Sequence, residues 1–371
     1  MIYREAWVQV DVKQALCNIM AVRNAVGNAR LCAVLKANAY GMGSVEMARI
    51  YQDYADMFAV AVLEEAAELR NAGIKKDILV LGSIPEQCIE EAIQNNISIT
   101  LYSDKQIRPL ENAAEKLKKK AKLHIKIETG MNRLGFKPDF QNTETIVRCL
   151  KNPYFKIEGV FTHFACADED NTETGIQAAK FKWLLNEIKK SGAKMPIVHA
   201  ANSPAIANMP EYYFDMVRAG LILTGFYTSE SMNRQRVKVM PCITLRARIV
   251  NLNRVMPGEG IGYGHTYHTD KNELIATVPF GFSDGYPRSL SNIGYALLKG
   301  VKCPVRGNIC MDQMMIDVSG VPDVKPGDEL IFYGSGKDGA MTAEDAANMN
   351  KTIVDEILTG LSKRLPRVYR R

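Results

Sequence analysis

The sequence predicts an α/β fold in which a (β/α)8 TIM-type barrel is followed by a mainly β C-terminal domain. From residue 6 to about residue 225, short apolar runs alternate with amphipathic helical stretches, which is typical of repeated β-α units. Eight strands with eight crossovers in roughly 220 residues match a closed barrel, and a doubly wound open sheet is the alternative. Beyond residue 239, short alternating strands are separated by turns that contain Pro-Gly.

The predicted barrel strands are short apolar runs that end in polar or glycine-containing segments. They are residues 31–35, 57–61, 78–81, 98–100, 123–127, 157–161, 197–199 and 215–217. Helical patterns lie between them, at residues 45–54, 63–72, 85–94, 105–120 and 177–191. Since the chemistry of such barrels lies at the carboxyl ends of the strands, residues that directly follow these runs are candidates for a site.

The C-terminal part reads as a second domain with a single helical region at residues 343–362. Its predicted strands are residues 242–255, 274–279, 295–298, 303–306, 314–318 and 329–333. We therefore expect the barrel to occupy residues 11–230 and the second domain residues 231–371.

Composition and charge exclude several classes of protein. The chain has 371 residues, 47% hydrophobic and 24% charged, as in ordinary globular enzymes, and its net charge of +6 is too dispersed for a nucleic-acid partner. Its eight cysteines contain no C-x-x-C pair and its five histidines no metal-binding spacing. We expect no metal site and no disulfide framework, but reduced thiols in the cytoplasm. No run of about 18 apolar residues is present, which leaves open a membrane segment upstream of this sequence.

Lys36 stands at the end of the first predicted barrel strand, where a lysine is unusual. The apolar residues 31–34 precede it, and a small-residue turn with Gly41 and Gly43 follows. Burying an ammonium without a partner is costly, but an amine at this place can form a Schiff base. Tyr40 brings a hydroxyl to the same strand end, where an anion could bind. The alternative is a lysine that extends its charge from the barrel rim into solvent.

The stretch Ala-Val-Leu-Lys-Ala-Asn-Ala-Tyr-Gly-Met-Gly at residues 33–43 resembles the cofactor motif of the alanine racemase family. Members of this family bind pyridoxal 5′-phosphate (PLP) through the lysine of the motif. The resemblance implies that Lys36 holds PLP and that Tyr40 contacts its phosphate. Further family motifs follow in order along essentially the whole chain. The resemblance also implies that a strand at residues 5–10 joins the C-terminal domain.

Residues 125–135, Ile-Lys-Ile-Glu-Thr-Gly-Met-Asn-Arg-Leu-Gly, read as a strand followed by a glycine turn. Arg133 would lie at the strand end, where its planar guanidinium can bind a carboxylate. The segment is similar to a second family motif, which implies that Arg133 lies beside the PLP ring oxygen and the substrate. Lys126 would lie behind Arg133. In several relatives this lysine is carbamylated, and a plain salt-bridge lysine is the alternative.

Two more segments resemble the family's phosphate-binding motifs. Asn202 and Ser203 stand at a predicted helix start, where a hydroxyl and backbone N–H groups suit phosphate oxygens. By resemblance, Gly220 and Leu221 add backbone donors to the same phosphate.

The segment Asp-Met-Val-Arg-Ala-Gly-Leu at residues 215–221 implies, by the same resemblance, that Arg218 faces the pyridine nitrogen of PLP. His199 would hold Arg218, and His163 would neighbour PLP or Tyr263, although a lone histidine at a strand end is more often structural. A carboxylate beside the ring would protonate it, whereas an arginine should leave it unprotonated. Side reactions such as transamination are then suppressed, as a racemase requires.

The second domain supplies the remaining candidates. Residues 258–264 have alternate glycines, but Tyr263 stands where the G-x-G-x-x-G nucleotide fingerprint needs its last glycine. The segment resembles the family loop that carries the second catalytic base, which implies that Tyr263 acts in the partner subunit's site and that the enzyme is a homodimer with shared active sites. At residues 307–313, the resemblance implies that the Met311 backbone binds the substrate carboxylate and that Asp312 makes domain contacts.

These residues together predict a PLP-dependent amino-acid racemase. Lys36 and Tyr263, on opposite faces of the substrate Cα, would interconvert the L and D forms of alanine, serine or both, and supply D-amino acids for peptidoglycan precursors. One alternative is a non-catalytic PLP-carrier or regulatory barrel protein. Another is a barrel-type amino-acid decarboxylase, which usually carries a glutamate where Arg218 stands.

Three positions depart from the family pattern. Phe282 replaces a usual tyrosine, and Thr224 stands where an aromatic residue is common. Lys363 replaces a tyrosine near the phosphate and the substrate methyl group, so the resemblance implies that Lys363 is a cofactor contact. Losing that tyrosine should widen the methyl pocket. Such a change is expected in the serine-accepting racemase domains of membrane-anchored vancomycin-resistance proteins, so serine ranks nearly level with alanine as substrate.

Overall fold

The computed structural model describes residues 4–169, 171–337 and 339–371, and its first part is a closed barrel of eight parallel strands. The N-terminal strand β1 (Ala6–Asp11) precedes the barrel, whose strands are β2 (Arg30–Val34), β3 (Met57–Val60), β4 (Ile78–Val80), β5 (Ile97–Leu101), β6 (Ala121–Lys126), β7 (Phe155–Phe161), β8 (Ile197–His199) and β9 (Met216–Ala219). Strand β9 pairs in parallel with β2 and closes the ring. The predicted (β/α)8 barrel is confirmed, and the open doubly wound sheet is wrong.

One helix precedes the first barrel strand, and others follow the barrel strands and pack around them. They are Val12–Val26, Ser44–Tyr51, Leu63–Asn71, Ile89–Gln94, Ile107–Leu117, Phe140–Leu150, Asn171–Lys190 and Ser203–Asn208. The first shows how local sequence sets their ends: Asp11 accepts a hydrogen bond from the Gln14 N–H at 2.9 Å, and Gly27, at φ +59°, stops the helix. Its apolar residues recur every three or four positions, so one face packs against the barrel.

The second part is a mainly β domain built on a nine-stranded sheet. Its strands are β10 (Ile243–Arg248), β11 (Asn251–Val255), β12 (Gly260–Ile261), β13 (Tyr267–His268), β14 (Glu273–Val278), β15 (Tyr295–Leu298), β16 (Val301–Arg306), β17 (Met314–Asp317), β18 (Glu329–Tyr333) and β19 (Arg367–Arg370). The large sheet has the order β11-β14-β17-β16-β15-β18-β10-β1-β19, and β12 pairs with β13 in a small ribbon. The N-terminal strand β1 thus lies between β10 and β19.

The single strand predicted at residues 242–255 is in fact two strands, β10 and β11. Between them the Ile249 N–H donates to the Asp328 carbonyl at 3.0 Å and the Val250 N–H donates to the Thr277 carbonyl at 2.9 Å. The chain therefore changes partners at this point and crosses from one part of the sheet to another. Apolar and polar residues alternate on both sides of this point, so the segment reads as one long strand.

The helical region predicted at residues 343–362 consists of two short helices, Ala343–Met349 and Val354–Gly360. Lys351, at φ +54°, breaks the run between them. No helix within the described ranges is both long and apolar enough to cross a lipid bilayer.

Candidate active site

Lys36 stands two residues after the end of β2, and the four residues after it form a left-handed turn. The φ angles of Ala37, Asn38, Ala39 and Tyr40 are +50°, +56°, +52° and +52°. A left-handed turn of residues other than glycine costs roughly 1–2 kcal/mol per residue, so contacts elsewhere in the protein must hold it. The turn brings the Tyr40 ring to 5.7 Å from the Lys36 amine. The amine and the phenol expected at one cofactor are therefore neighbours.

The C-terminal strand β19 holds this turn. Arg367 donates from Nε to the Gly41 carbonyl at 2.9 Å. The Tyr369 hydroxyl donates to the Met42 carbonyl at 2.8 Å. A Cβ added at Gly41 would lie 2.3 Å from the Leu358 carbonyl oxygen, so only glycine fits there. The second domain thus packs against the turn that follows Lys36 and holds its backbone.

Hydroxyl and backbone groups suited to a phosphate meet beside this turn. The Ser203 hydroxyl, at a helix start, accepts a hydrogen bond from the Gly220 N–H at 3.1 Å. A Cβ added at Gly220 would lie 2.3 Å from the Tyr40 hydroxyl, so glycine is needed for the phenol to reach this point. Burial raises the pKa of Tyr40, which therefore remains a donor. Asn202 caps the short helix of Ser203, and Leu221 follows Gly220 in a tight turn.

Arg218 is buried in the barrel interior and is held by hydrogen bonds from both of its terminal nitrogens. Nη2 donates to the carbonyl oxygens of Thr162 and Ala200, each at 2.8 Å. Nη1 lies 2.9 Å from Nδ1 of His199, and Nη2 lies 3.2 Å from Nδ1 of His163. Burial lowers the pKa of Arg218 to about 10, which still leaves the guanidinium charged at neutral pH.

Positive charge gathers at this end of the barrel. The pKa of His163 lies well below its usual value, first because the ring is buried and then because Arg218, Lys126, Arg133 and Lys36 surround it. Such a field attracts an anionic cofactor and a substrate carboxylate. Within the described ranges, no group of three or more His, Cys, Asp or Glu side chains is placed to hold a metal ion.

Lys126 is a buried lysine with an altered acidity. Its amine donates to the Ile127 carbonyl at 3.0 Å and lies 5.4 Å from the Phe161 ring centroid. Burial, followed by the charge of Arg218, lowers the pKa of Lys126 to about 7. A neutral, nucleophilic form of this amine is therefore accessible near neutral pH.

Tyr263 and Met311 lie in a second cleft, of about 590 Å³. Their side chains are 73% and 56% exposed, and every residue that lines this cleft belongs to the C-terminal domain. The Asn308 side chain donates to the Tyr263 carbonyl at 2.7 Å and holds the loop. None of the residues that line this cleft comes from the barrel end at Lys36.

A network of charged side chains, which the sequence did not predict, supports the Met311 loop. The fully buried Asp284 forms ion pairs with Arg4, near the N-terminus, and with Arg364, near the C-terminus. Arg364 also donates to Asp312, the residue after Met311, at 2.7 Å. Burying a carboxylate between two guanidinium groups satisfies its charge. Asp312, for which domain contacts are predicted, thus bonds to Arg364 of this network.

Lys363 lies at the surface of the described chain, and its predicted contact with the cofactor stays a prediction. Its side chain is 74% exposed, and its amine lies 3.8 Å from a carboxylate oxygen of Glu68 on the outside of the barrel. Thr224 is buried, with its hydroxyl on the Leu221 carbonyl at 2.6 Å. Phe282 is partly exposed. None of the three departures therefore places a hydroxyl group beside Lys36.

Family models match both parts of the chain. The model of the alanine racemase N-terminal domain matches residues 10–228, and that of the alanine racemase C-terminal domain matches residues 242–369. The alanine racemase of Clostridium tetani is 42% identical over 369 residues, which cover 99% of this chain and 95% of that protein. The alanine racemase of Methanococcus maripaludis is 40% identical, with both chains covered completely.

Solved structures agree in fold over the full length. An alanine racemase of Clostridium difficile 630 superposes with a TM-score of 0.96 at 38% identity, covering 100% of this chain and 97% of that one. The same enzyme in complex with cycloserine gives a TM-score of 0.94 at 37% identity, with 100% and 96% of the two chains covered.

Proposed function

The chain belongs to the alanine racemase family and is a PLP-dependent racemase of alanine, and we propose that Lys36 and Tyr263 are its two catalytic bases. One observation carries this proposal: Lys36 directly precedes a left-handed turn that ends at Tyr40, at a barrel end where several positive charges lie close together. The match of the C-terminal family model argues against a carrier protein built on the barrel alone.

The residues at this barrel end fit PLP. The Lys36 amine can bind its aldehyde carbon, and the hydroxyls of Tyr40 and Ser203 with the backbone around Gly220 can hold its phosphate. When bound, PLP withdraws electrons from the substrate and makes the hydrogen on Cα acidic. Asn202 supports this cradle by capping the helix at Ser203, rather than by pointing a free side chain into it.

We assign Arg218 to the ring nitrogen of the cofactor. Its guanidinium keeps its protons because its pKa is about 10, so it donates a hydrogen bond without giving up a proton. His199 and two backbone carbonyls fix its plane. Because Arg218 would not give its proton to the ring nitrogen, the bound cofactor would withdraw charge less strongly, which would favour racemisation over side reactions.

Proton transfer on two faces of Cα makes the reaction reversible between the two enantiomers. Lys36 Nζ takes or returns the proton on one face, and Tyr263 Oη of the partner subunit does so on the other. Arg133 and, from the same cleft as Tyr263, the backbone of the partner subunit's Met311 bind the substrate carboxylate. The exposed cleft of Tyr263, lined only by the C-terminal domain, supports a homodimer in which each site uses both subunits.

We propose a cytoplasmic enzyme that provides D-amino acids for peptidoglycan precursors, either free or as the cytoplasmic domain of a membrane-anchored protein. The eight cysteines are free thiols, which supports a reducing compartment. We divide the chain into a barrel at residues 11–230 and a second domain at residues 231–371 with the strand at residues 5–10, because β1 lies inside the C-terminal sheet.

Lys126 is expected to carry a carbamate. Its neutral amine can attack CO2 and lose a proton, and the resulting anion would lie near Arg133 and Arg218, where it can hold the substrate-binding arginine. Wild-type enzyme in 13C-bicarbonate should show one carbamate carbon signal by NMR at pH 8. The signal should fade as the pH falls below about 7, because the protonated amine cannot hold CO2.

The control for this experiment replaces a lysine on the outside of the barrel. Lys126→Met should lose the carbamate signal, whereas Lys182→Met should keep it. If the wild type gives no signal in CO2-saturated buffer, Lys126 is a plain buried lysine and Arg133 is held in another way.

We propose that serine is a substrate alongside alanine. A pocket cannot strongly reject a ligand that only adds a hydroxyl to a methyl group unless bulk or an unpaired polar group opposes it. Lys363 points to solvent beside Glu68, so it leaves room for a CH2OH group. We expect the kcat/KM of L-serine to lie within about tenfold of that of L-alanine, a gap of about 1.4 kcal/mol.

Substitutions at Lys363 separate size from hydroxyl chemistry. Lys363→Tyr should lower serine turnover more than alanine turnover, and Lys363→Phe should show whether ring volume alone is enough. Glu68→Gln, which removes only the ion-pair partner, is the control. A preference of the wild type for alanine by about a thousandfold, or an unchanged ratio in Lys363→Tyr, would contradict the wide pocket.

A further inference from the structure

Three buried side chains form a hydrogen-bonded row through the barrel interior. Arg218 Nη1 lies 2.9 Å from His199 Nδ1, and His199 Nε2 lies 2.9 Å from Nδ1 of His124 on β6. None of the three is more than 3% exposed. Gly159 on the neighbouring strand makes room for the row, since a Cβ there would lie 2.2 Å from His124 Nδ1. His124 therefore touches the residue that holds Arg218.

The row leads away from Lys36 to the opposite end of the barrel. His124 lines a cavity of about 300 Å³ together with Arg30 and Ile197, the first residues of β2 and β8. The carboxylates of Asp77 and Glu158 line the same cavity. A water molecule occupies about 30 Å³, so this space can supply water acceptors to the free nitrogen of His124.

The chemistry of arginine fixes the direction of every hydrogen bond in the row. A guanidinium only donates, so Nδ1 of His199 must accept and carry no hydrogen. A neutral His199 then carries its hydrogen on Nε2 and donates it to His124 Nδ1. His124 in turn must carry its hydrogen on Nε2, toward the cavity. A charged imidazole at either position would set two donors against each other.

We propose that His124 is a positioning residue for racemisation: it accepts the His199 Nε2–H and so locks the His199 tautomer that orients Arg218. The inference rests on the proposed role of Arg218 at the ring nitrogen. Burial and the charge of Arg218 support it, because the pKa of His124 is lowered to about 4 and the ring stays neutral. Without this acceptor, His199 can carry its hydrogen on Nδ1, where it faces the Arg218 donor and displaces it.

Histidine-selective 15N NMR tests the tautomers without any turnover, and five histidines give a spectrum simple enough to assign. In the wild type we expect His199 to be protonated on Nε2 alone. His124→Leu, which removes the acceptor, should shift His199 toward the Nδ1–H form. His124→Asn, whose side-chain carbonyl can accept near the former Nδ1, should keep the wild-type form.

Kinetics should follow the same order. We expect kcat for alanine to fall roughly tenfold or more in His124→Leu, with KM little changed, as when other residues that orient a site from outside it are replaced. In His124→Asn, kcat should stay within about threefold of the wild-type value. Lys156→Gln alters the same cavity without touching the row and should match the wild type. Thermal melting of each variant shows whether it is folded.

The outcomes separate this inference from the proposed function. An inactive wild type would refute the proposed function. An active wild type with His199 protonated on Nδ1 would refute only the role of His124. A folded His124→Leu variant with unchanged His199 chemical shifts and unchanged kcat would also refute this role. If His124→Leu does not fold, the role is tested by the His199 tautomer of the wild type and by the kcat of His124→Asn.

Discussion

Replacing Lys36 with alanine is expected to abolish racemisation while the protein stays folded. A general base contributes roughly 10²–10⁴-fold, and this variant also loses the covalent anchor of the cofactor, so kcat/KM should fall by at least about 10⁴-fold. The absorbance of the lysine-linked cofactor should disappear. The Lys36 side chain is only partly buried and belongs to no core cluster, so circular dichroism and thermal melting should change little. Chiral chromatography of the product measures the activity.

Chemical trapping shows which lysine holds the cofactor. Borohydride reduction of the wild type should fix PLP on the peptide that contains Lys36. Lys182→Ala, a change on the outside of the barrel, should keep both the absorbance band and the activity. Recovery of the reduced cofactor on any other lysine would contradict the assignment.

Replacing Tyr263 with phenylalanine should lower racemisation by roughly 10²–10⁴-fold, because one face of Cα loses its base. Cofactor absorbance should remain, since the barrel residues that hold the cofactor are unchanged. One enantiomer should still exchange its α-hydrogen with D2O without inversion, because Lys36 can remove and return a proton on its own face. Proton NMR of L- and D-alanine in D2O measures this exchange.

Lys36→Ala should behave differently in the same experiment, since this variant should exchange the α-hydrogen of neither L- nor D-alanine. Tyr295→Phe removes a hydroxyl from the same domain, far from the Tyr263 loop in sequence, and should racemise like the wild type. If Tyr263→Phe interconverts the enantiomers at the wild-type rate, the second base is another group.

The features predicted correctly are those whose signal lies in one short stretch of sequence. The barrel strands are local apolar runs, and the segment around Lys36 and Tyr40 is a single motif, so both can be read without knowing the fold. The left-handed turn itself could not be read. Of its residues only Asn38 favours that conformation, and contacts with the C-terminal strand, more than 300 positions away, hold it.

The residues that were missed have partners distant in sequence. Arg4 and Asp284 are 280 positions apart, and His124 and His199 are 75 apart, so no local pattern joins them. Asp284 stands two residues after Phe282, and nothing in its neighbouring sequence indicates a buried ion pair. Lys363 stands in a family motif that implies a contact with the cofactor, which stays a prediction, and its side chain lies beside Glu68 at the surface. Side-chain direction depends on packing that a motif does not encode.

Mixing the two inactive variants tests the shared two-base site most directly. A heterodimer of Lys36→Ala and Tyr263→Phe contains one site in which Lys36 from one subunit and Tyr263 from the other are both intact. Random subunit exchange at equal concentrations should therefore restore about a quarter of the wild-type activity. If native mass spectrometry shows heterodimers but activity stays at the level of the separate variants, then Lys36 and Tyr263 do not act together across the two subunits.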